Sequence, residues 1–310
     1  MILCCGEALI DMIPTPTATG TDGFVPHAGG AIFNTAIALG RLGVPVEMLT
    51  GLSSDMFGRQ LEGALRASNV GTRHLVISGR PTTLAFVQLT DGHAHYAFFD
   101  ENSAGRMLDV ASLPTVAAQT SALYFGGISL ASPPCADTYA TLLEREGSTR
   151  AVMIDPNIRP AFIQDADSYR ARLNRMIALA DIVKVSDEDL DWMVTGDAPL
   201  PEKVQTVQAM GPSVVIITRG SSGAQGFLQG GTNVAVPAPP AQVVDTVGAG
   251  DTFNAGVLAQ LHGAGVLTKP RLKALSAAEL TEALTHGARV AAVTVSRAGA
   301  NPPWAAEIQT

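Results

Sequence analysis

Residues 245–256 read DTVGAGDTFNAG, two aspartates flanking a Gly-Ala-Gly turn between an apolar run and a helix-like run. Gly248 and Gly250 have no Cβ, so the backbone there can aim successive N–H groups into one concavity. From Asp251 onward the residues Thr252, Phe253, Asn254 and Ala255, then Val257, Leu258 and Ala259, read as a helix. The turn, including Ala249, therefore opens a helix N-terminus, where unpaired N–H groups and the helix dipole favour negative charge. The chemistry that fits is phosphate binding, with a carboxylate that is either a helix cap or a reagent. Aspartate is a common N-cap and glycine a common turn residue, so this segment alone does not decide between them. Two familiar phosphate loops are absent: G-x-x-x-x-G-K-[ST] occurs nowhere, and G-x-G-x-x-G fails because Phe253 holds its third glycine position.

Further stretches carry polar residues suited to the same chemistry. GEALIDMIP sends Asp11 out beyond a first apolar run, and HAGGAIFNTAIALGRLG sets Gly29 and Gly30 just before a helix whose early Asn34 offers both a donor and an acceptor. ITRGSSGAQGF puts Thr218, Gly220 and Gly223 in a turn after a buried strand, a second place where backbone N–H groups can approach phosphates. Each is weak singly, since aspartate and glycine also make ordinary turns; their order along one chain is the stronger signal.

The elements that must position these residues alternate. Short β-branched runs at Ile2 to Cys5, Val46 to Thr50, Leu123 to Phe125, Ala151 to Asp155, Ile182 to Val185 and Val214 to Thr218 read as strands. Helical patterns lie between them, at Asn34 to Leu42, Arg59 to Ser68, Ala136 to Arg145, Tyr169 to Leu179 and Glu188 to Val194. This order predicts an α/β fold, a mostly parallel sheet with helices on both faces and ligands at the carboxyl ends of the strands. Two regions break the rhythm: residues 12–28, rich in Pro, Thr and Gly, and TTLAFVQLTDGHAHYAFF at 82–99, two strands around Asp91-Gly92. The second reads as an inserted hairpin, either a lid over the strand ends or an ordinary edge hairpin.

Composition narrows the function classes. The chain has 310 residues, 46% of them hydrophobic and 15% charged, enough for a sizeable core, and no interdomain linker or repeat is visible. A net charge of −8 with no basic block argues against nucleic acid or an anionic membrane surface as partner. Cys4, Cys5 and Cys135 read as reduced, buried thiols of a cytoplasmic protein. The N-terminus MILCCGEALIDMIP lacks a basic n-region, and no apolar run is long enough to span a bilayer.

Taken together, GGAIFNTAIALGRLG, GLSSDMFG, TRGSSG and DTVGAGDTFNAG resemble the signatures and nucleotide loop of the ribokinase-like (PfkB-type) carbohydrate kinases, over nearly the whole chain. GEALIDMIP, FFDENSAGRML, DPNIRP and ADIVKVSDEDL are most similar to the bacterial fructokinases of that family. The resemblance implies a three-layer α/β/α fold with a small β-sheet lid, one catalytic domain over 1–310 with lid segments near 12–28 and 82–105. It implies transfer of the γ-phosphoryl of ATP to a sugar hydroxyl, with D-fructose, converted to fructose 6-phosphate, as the leading substrate. Asp251 would be the base, and the N–H groups of Gly248, Ala249 and Gly250 would stabilise charge on the transferring group. Asp11, Gly29, Gly30, Asn34, Asn102, Ser103, Arg106 and Arg159 would face the sugar, with 102–106 on the lid side. Thr218, Gly220, Gly223, Ser186 and Asp189 would serve the nucleotide. Mg2+ would bridge the phosphates, mostly through water. Asp245, with Val247, Thr294 and Gly299, would hold a K+ ion beside the turn, unless Asp245 only caps it.

One departure stands out. Many relatives carry Asn-x-x-Glu where this chain has Ser186-Asp187-Glu188-Asp189, which leaves open whether Glu188 or Asp189 faces the metal. His93 and His95 read as solvated or sugar-contacting rather than zinc ligands, Arg41 as a support for a helix end and Trp304 as a packing anchor. Alternatives are a kinase for 2-keto-3-deoxygluconate or another ketose or pentose, a nucleotide-linked dehydrogenase and a silent sugar sensor. A dehydrogenase would want the missing fingerprint, and a sensor has no need of Asp251. The edges of the lid sheet suit a homodimer.

Overall fold

A computed structural model describes residues 1–90 and 93–308, with side chains at all of these except 22, 88–90 and 93–96. The Asp91-Gly92 turn and the side chains of His93 and His95 lie outside the described residues. The strands are β1 (Ile2–Cys5), β2 (Leu9–Pro16), β3 (Asp22–Gly29), β4 (Val46–Ser53), β5 (Gly71–Ser78), β6 (Leu84–Thr90), β7 (His93–Phe99), β8 (Ala122–Gly126), β9 (Ala151–Asp155), β10 (Ile182–Ser186), β11 (Val214–Thr218), β12 (Ala224–Leu228) and β13 (Asn233–Val236). The helices are α1 (Ala31–Arg41), α2 (Met56–Ala67), α3 (Cys135–Glu146), α4 (Ala166–Ile177), α5 (Asp187–Met193), α6 (Leu200–Gln208), α7 (Ala249–Gly263), α8 (Lys269–Lys273), α9 (Ala277–Val295) and α10 (Ala305–Ile308).

The larger sheet has the order β13-β12-β11-β10-β9-β8-β1-β4-β5, parallel from β11 to β5, with β12 and β13 antiparallel at one edge. Successive side chains point to opposite faces, and both faces are buried, which is why these strands read as continuous apolar runs. Tyr124, Met153 and Ile182 join one core cluster with Phe33, Val257 and Leu284, while Phe125, Ile154 and Val183 join another with Tyr139, Leu173 and Met176. From β8 the chain steps outward to β11, and from β1 it steps the other way to β5. The switch point between β1 and β8 is where such sheets open a crevice beyond their carboxyl ends.

The smaller sheet, β3-β2-β6-β7, is built from the two regions that broke the sequence rhythm. Residues 12–28, expected as a Pro-rich interruption, are mostly strand. Pro26 is tolerated because β3 is an edge, and Pro14 and Pro16 lie beyond the Ile10–Met12 stretch where β2 also pairs with β6. Asp11, expected beyond the first strand, is itself a strand residue of β2, opposite His27 and beside Ala85.

Helix α7 is buried between α1 and α9, and at its crossing with α9 a Cβ on Gly256 would stand 2.7 Å from the Cα of Gly287. Only glycine at both positions lets the backbones approach so closely. α9 is the longest described helix and was not apparent from the sequence: its buried face mixes Leu280, Leu284 and Val290 with the small residues Ala283, Gly287 and Ala288. It opens with a capping box in which Ser276 and Glu279 bond each other's backbone N–H. No described helix is long and apolar enough to cross a membrane.

Candidate active site

A cavity of about 780 Å³ lies over the switch point, lined by Glu7 after β1, Gly30 and Asn34 at the start of α1, and the 246–251 turn. The small sheet and its following turn form another wall, through Asp11, Phe98, Asp100 and Arg106. Glu7 organises the floor. Its Oε1 accepts the Ala31 N–H at 3.0 Å and its Oε2 the Ser129 N–H at 3.3 Å, so one carboxylate after β1 receives the N–H groups at the start of α1 and beyond β8. Burial raises its pKa against those bonds.

α7 begins at Ala249, earlier than the sequence suggested, with Gly248 as N-cap in the left-handed region at φ 78°. A Cβ at Gly248 would meet that of Ala300 at 2.6 Å, so glycine is required on both counts. The earlier start decides what Asp251 is. It is the third residue of the helix, its side chain caps nothing, and Asn34 Nδ2 donates to its Oδ2 at 2.9 Å. Thr35 Oγ1 donates to the Asp251 carbonyl at 3.0 Å, fixing the backbone as well. Asp251 is 8% exposed and faces the cavity. Burial pushes its carboxyl up to about 7; the Asn34 bond pulls the other way and the Asp155 charge adds to the rise. An acid at that value can both hold and release a proton near neutral pH.

The N–H groups of the turn are divided. Ala249 N–H donates to the Thr246 carbonyl at 3.2 Å, and the first bond along the helix runs from Thr252 N–H to the Gly248 carbonyl at 2.9 Å. Those of Gly250 and Asp251 lie between, ahead of any intrahelical partner. With the helix dipole they give this end of the cavity a geometry suited to an anion.

At the other end, burial raises the Asp11 carboxyl to about 6, and its Oδ2 lies where a Cβ on Gly29 would be. Arg106 Nη1 is bound to Asp100 Oδ1 at 3.1 Å, and Arg159, at the mouth, donates to the Ile158 carbonyl at 3.0 Å. Asn102 is exposed in a left-handed turn and outside the cavity lining, and Ser103 is spent inside that turn, accepting from Thr83 Oγ1 at 2.8 Å and the Arg106 N–H at 3.1 Å. Phe98 and Phe162 meet edge to face at 5.0 Å, joining the small sheet to the segment after β9.

Ser186 and Thr218 stand opposite each other at the carboxyl ends of β10 and β11, outside the cavity lining, with Gly220 and Gly223 at positive φ just beyond. Asp189 is buried and occupied: Oδ1 accepts the Ile158 N–H at 3.1 Å and Oδ2 the Ser186 N–H at 3.4 Å, while Glu188 is exposed. Asp245 joins the turn to the chain's end, its Oδ1 accepting the Val247 N–H at 3.0 Å and its Oδ2 the Gly299 N–H at 2.9 Å. Thr294 is fully buried and bonds the Val290 carbonyl at 3.1 Å.

The signature of the pfkB family carbohydrate kinases matches residues 1–307. The chain belongs to this family. This pfkB-family chain is 52% identical over 276 residues to a fructokinase of Rhizobium leguminosarum bv. trifolii, covering 89% of this chain and 84% of that one. Among solved structures, a fructokinase with bound ATP from Xylella fastidiosa superposes at TM-score 0.91 with 28% identity, over 99% of this chain and 96% of that one. A fructokinase from Vibrio cholerae O395 with fructose, ADP and calcium bound superposes at 0.82 with 25% identity, over 96% and 94% of the chains. The three-layer ribokinase-like fold expected from the sequence is therefore the fold of this pfkB-family chain.

Several pfkB-chain residues around the site carried a sequence signal that the motifs overshadowed. Glu7 and Asp155 are acids at the carboxyl ends of apolar strands, the edge where ligands bind, and Lys184 is a charge inside the apolar strand IVKVS. Asp100 follows directly on β7.

Proposed function

We propose that this chain is an ATP-dependent fructokinase that transfers the γ-phosphoryl group of ATP to the 6-hydroxyl of D-fructose, as one catalytic domain. The observation that carries the mechanism is Asp251, a buried carboxyl with a pKa near 7, held by Asn34 beside the free N–H groups of a helix N-terminus. Asp251 takes the proton of the attacking hydroxyl, while the Gly250 and Asp251 N–H groups and the α7 dipole stabilise charge on the phosphoryl oxygens. Asn34 and Asp11 orient the sugar. Glu7, Asp11 and Asp100 in the cavity lining, with Arg106 tied to Asp100, support a neutral polyol rather than a sugar acid as substrate. The bound fructose and ATP of the Vibrio and Xylella fructokinases support the same ligands here.

Mg2+ would neutralise charge between the ATP phosphates, near the Ser186–Asp189 corner. A K+ ion beside the turn would be held by the Asp245 carboxylate with oxygens of Val247, Thr294 and Gly299, in exchange for the N–H bonds Asp245 now accepts, and its charge would orient the turn. The small sheet exposes Phe24, Val25 and Phe99 at 46%, 40% and 58%, a surface suited to a second copy of the chain. The test is ADP release from MgATP with potassium, offering D-fructose, 2-keto-3-deoxygluconate and ribose separately to wild type and Asp251→Ala. Turnover confined to fructose and lost in the variant supports the reading. Turnover of another sugar instead removes fructose and keeps the base.

A further inference from the structure

Behind the anion-binding turn lies a buried charged cluster that the reaction as described does not use. Asp155 ends β9 and Lys184 follows Val183 on the neighbouring strand β10, and both side chains point to the α7 face of the sheet. Lys184 Nζ is bound to Asp155 Oδ2 at 2.9 Å; the two residues are 3% and 1% exposed. Asn254, one turn along α7 from Asp251 and fully buried, donates to Asp155 Oδ2 at 2.7 Å and to Tyr124 Oη at 2.9 Å, and its own Oδ1 has no partner. A Cβ built on Gly250 would stand 3.4 Å from Lys184 Nζ.

Burying an ion pair is expensive, and an apolar pair of similar volume is often at least as stable. Its place directly behind Gly250 gives this pair a use. An ammonium carries three N–H donors, of which Asp155 takes one. In a water-poor site its field reaches the turn and Asp251 with little screening.

We propose that Lys184, held by Asp155, which Asn254 holds in turn, is a positioning residue for phosphoryl transfer: a fixed cation behind the Gly-Ala-Gly turn that adds to the positive potential receiving the γ-phosphoryl group. It acts through the turn, since it does not line the cavity. The same cation favours the ionised form of Asp251, and Asp155 opposes it. The other charged or titratable groups around Asp251 are Glu7 beyond β1 and Tyr124 on β8, with Asp11, Asp100, Glu101, Arg106 and Arg159 sharing the cavity. This inference rests on the kinase reading.

The test compares wild type, D155N and D155N/K184M, the last replacing the pair by neutral groups so that no buried charge is stranded. Two readouts are taken: steady-state kinetics with fructose, and the infrared carbonyl band of protonated Asp251, isolated by subtracting the Asp251→Asn spectrum in each background. The double variant is expected to fold, to lose kcat by on the order of 10²-fold, comparable to removal of one oxyanion-hole donor, and to keep KM for fructose within about threefold. Its Asp251 band should titrate at higher pH than in D155N, where the cation remains. A well-folded double variant with kcat within about threefold of wild type, or equal Asp251 midpoints in the two variants, would overturn the proposal. If wild type fails to phosphorylate fructose, the substrate reading falls while the infrared comparison still decides whether Lys184 acts on Asp251.

Discussion

Asn34 and Asp251, 217 residues apart in sequence, are joined by a 2.9 Å hydrogen bond from the Asn34 amide to Asp251 Oδ2. Through it the first helix of the chain holds a buried carboxylate of a helix near its end. Because the bond is made to the acceptor, it favours the ionised state and counteracts burial. Asn34→Ala should therefore move the acid limb of kcat/KM to higher pH and lower the rate at pH 7, and a pH–rate profile checks both. An unmoved limb would show that the amide has no part in setting the proton affinity.

Wild type should show kcat/KM for fructose rising with pH through about 7, where Asp251 loses its proton, and level above it. Asp251→Ala and Asp251→Asn should each cost about 10²- to 10⁴-fold in kcat with little change in the KM for ATP. Comparable turnover in either variant would assign the base elsewhere.

The same carboxyl makes a stability prediction. Its pKa is raised in the folded state above its ordinary value of 3.8, so its contribution is fully present below about pH 4 and is lost as pH rises through about 7. Asp251→Asn escapes that loss. The variant's advantage in urea midpoint over wild type should grow from pH 5 to pH 8, on the order of 2 kcal/mol by the upper end. Equal slopes with pH would refute it.

Gly248→Ala faces both a left-handed φ of 78° and contact with Ala300. A loss of about 1–3 kcal/mol in stability is expected, together with a large fall in kcat as the turn shifts. Denaturant unfolding and kinetics on the same preparation check the two together.

Replacing potassium by tetramethylammonium should lower kcat in wild type, and Asp245→Ala should both lower it and remove the difference between the salts. Assays at matched ionic strength read this directly. An Asp245→Ala enzyme that still responds to potassium would place the ion elsewhere.

The sequence by itself determined the parallel sheet and the position of the Gly-Ala-Gly turn ahead of α7. Apolar runs such as Ala151–Asp155 and Val214–Thr218 are strands at the bounds read from the pattern, because burial on both faces leaves an uninterrupted apolar signature. The turn was legible because glycine at an αL position ahead of a helix is a local requirement. What is local in energy is local in sequence. The tertiary structure decided the rest: that 12–28 is mostly strand, that α9 mixes small residues into its buried face, that the Asp251 side chain in the first turn of α7 accepts from Asn34 rather than capping the helix, and that Asn102 lies outside the cavity lining. It also decided that Glu7 lines the cavity and that Asp155 and Lys184 pair behind its turn. Those outcomes depend on which strand neighbours which and on how much water each carboxylate retains. Burial, hydrogen bonding and charge between residues more than a hundred positions apart set them, and no spacing along a chain encodes those quantities.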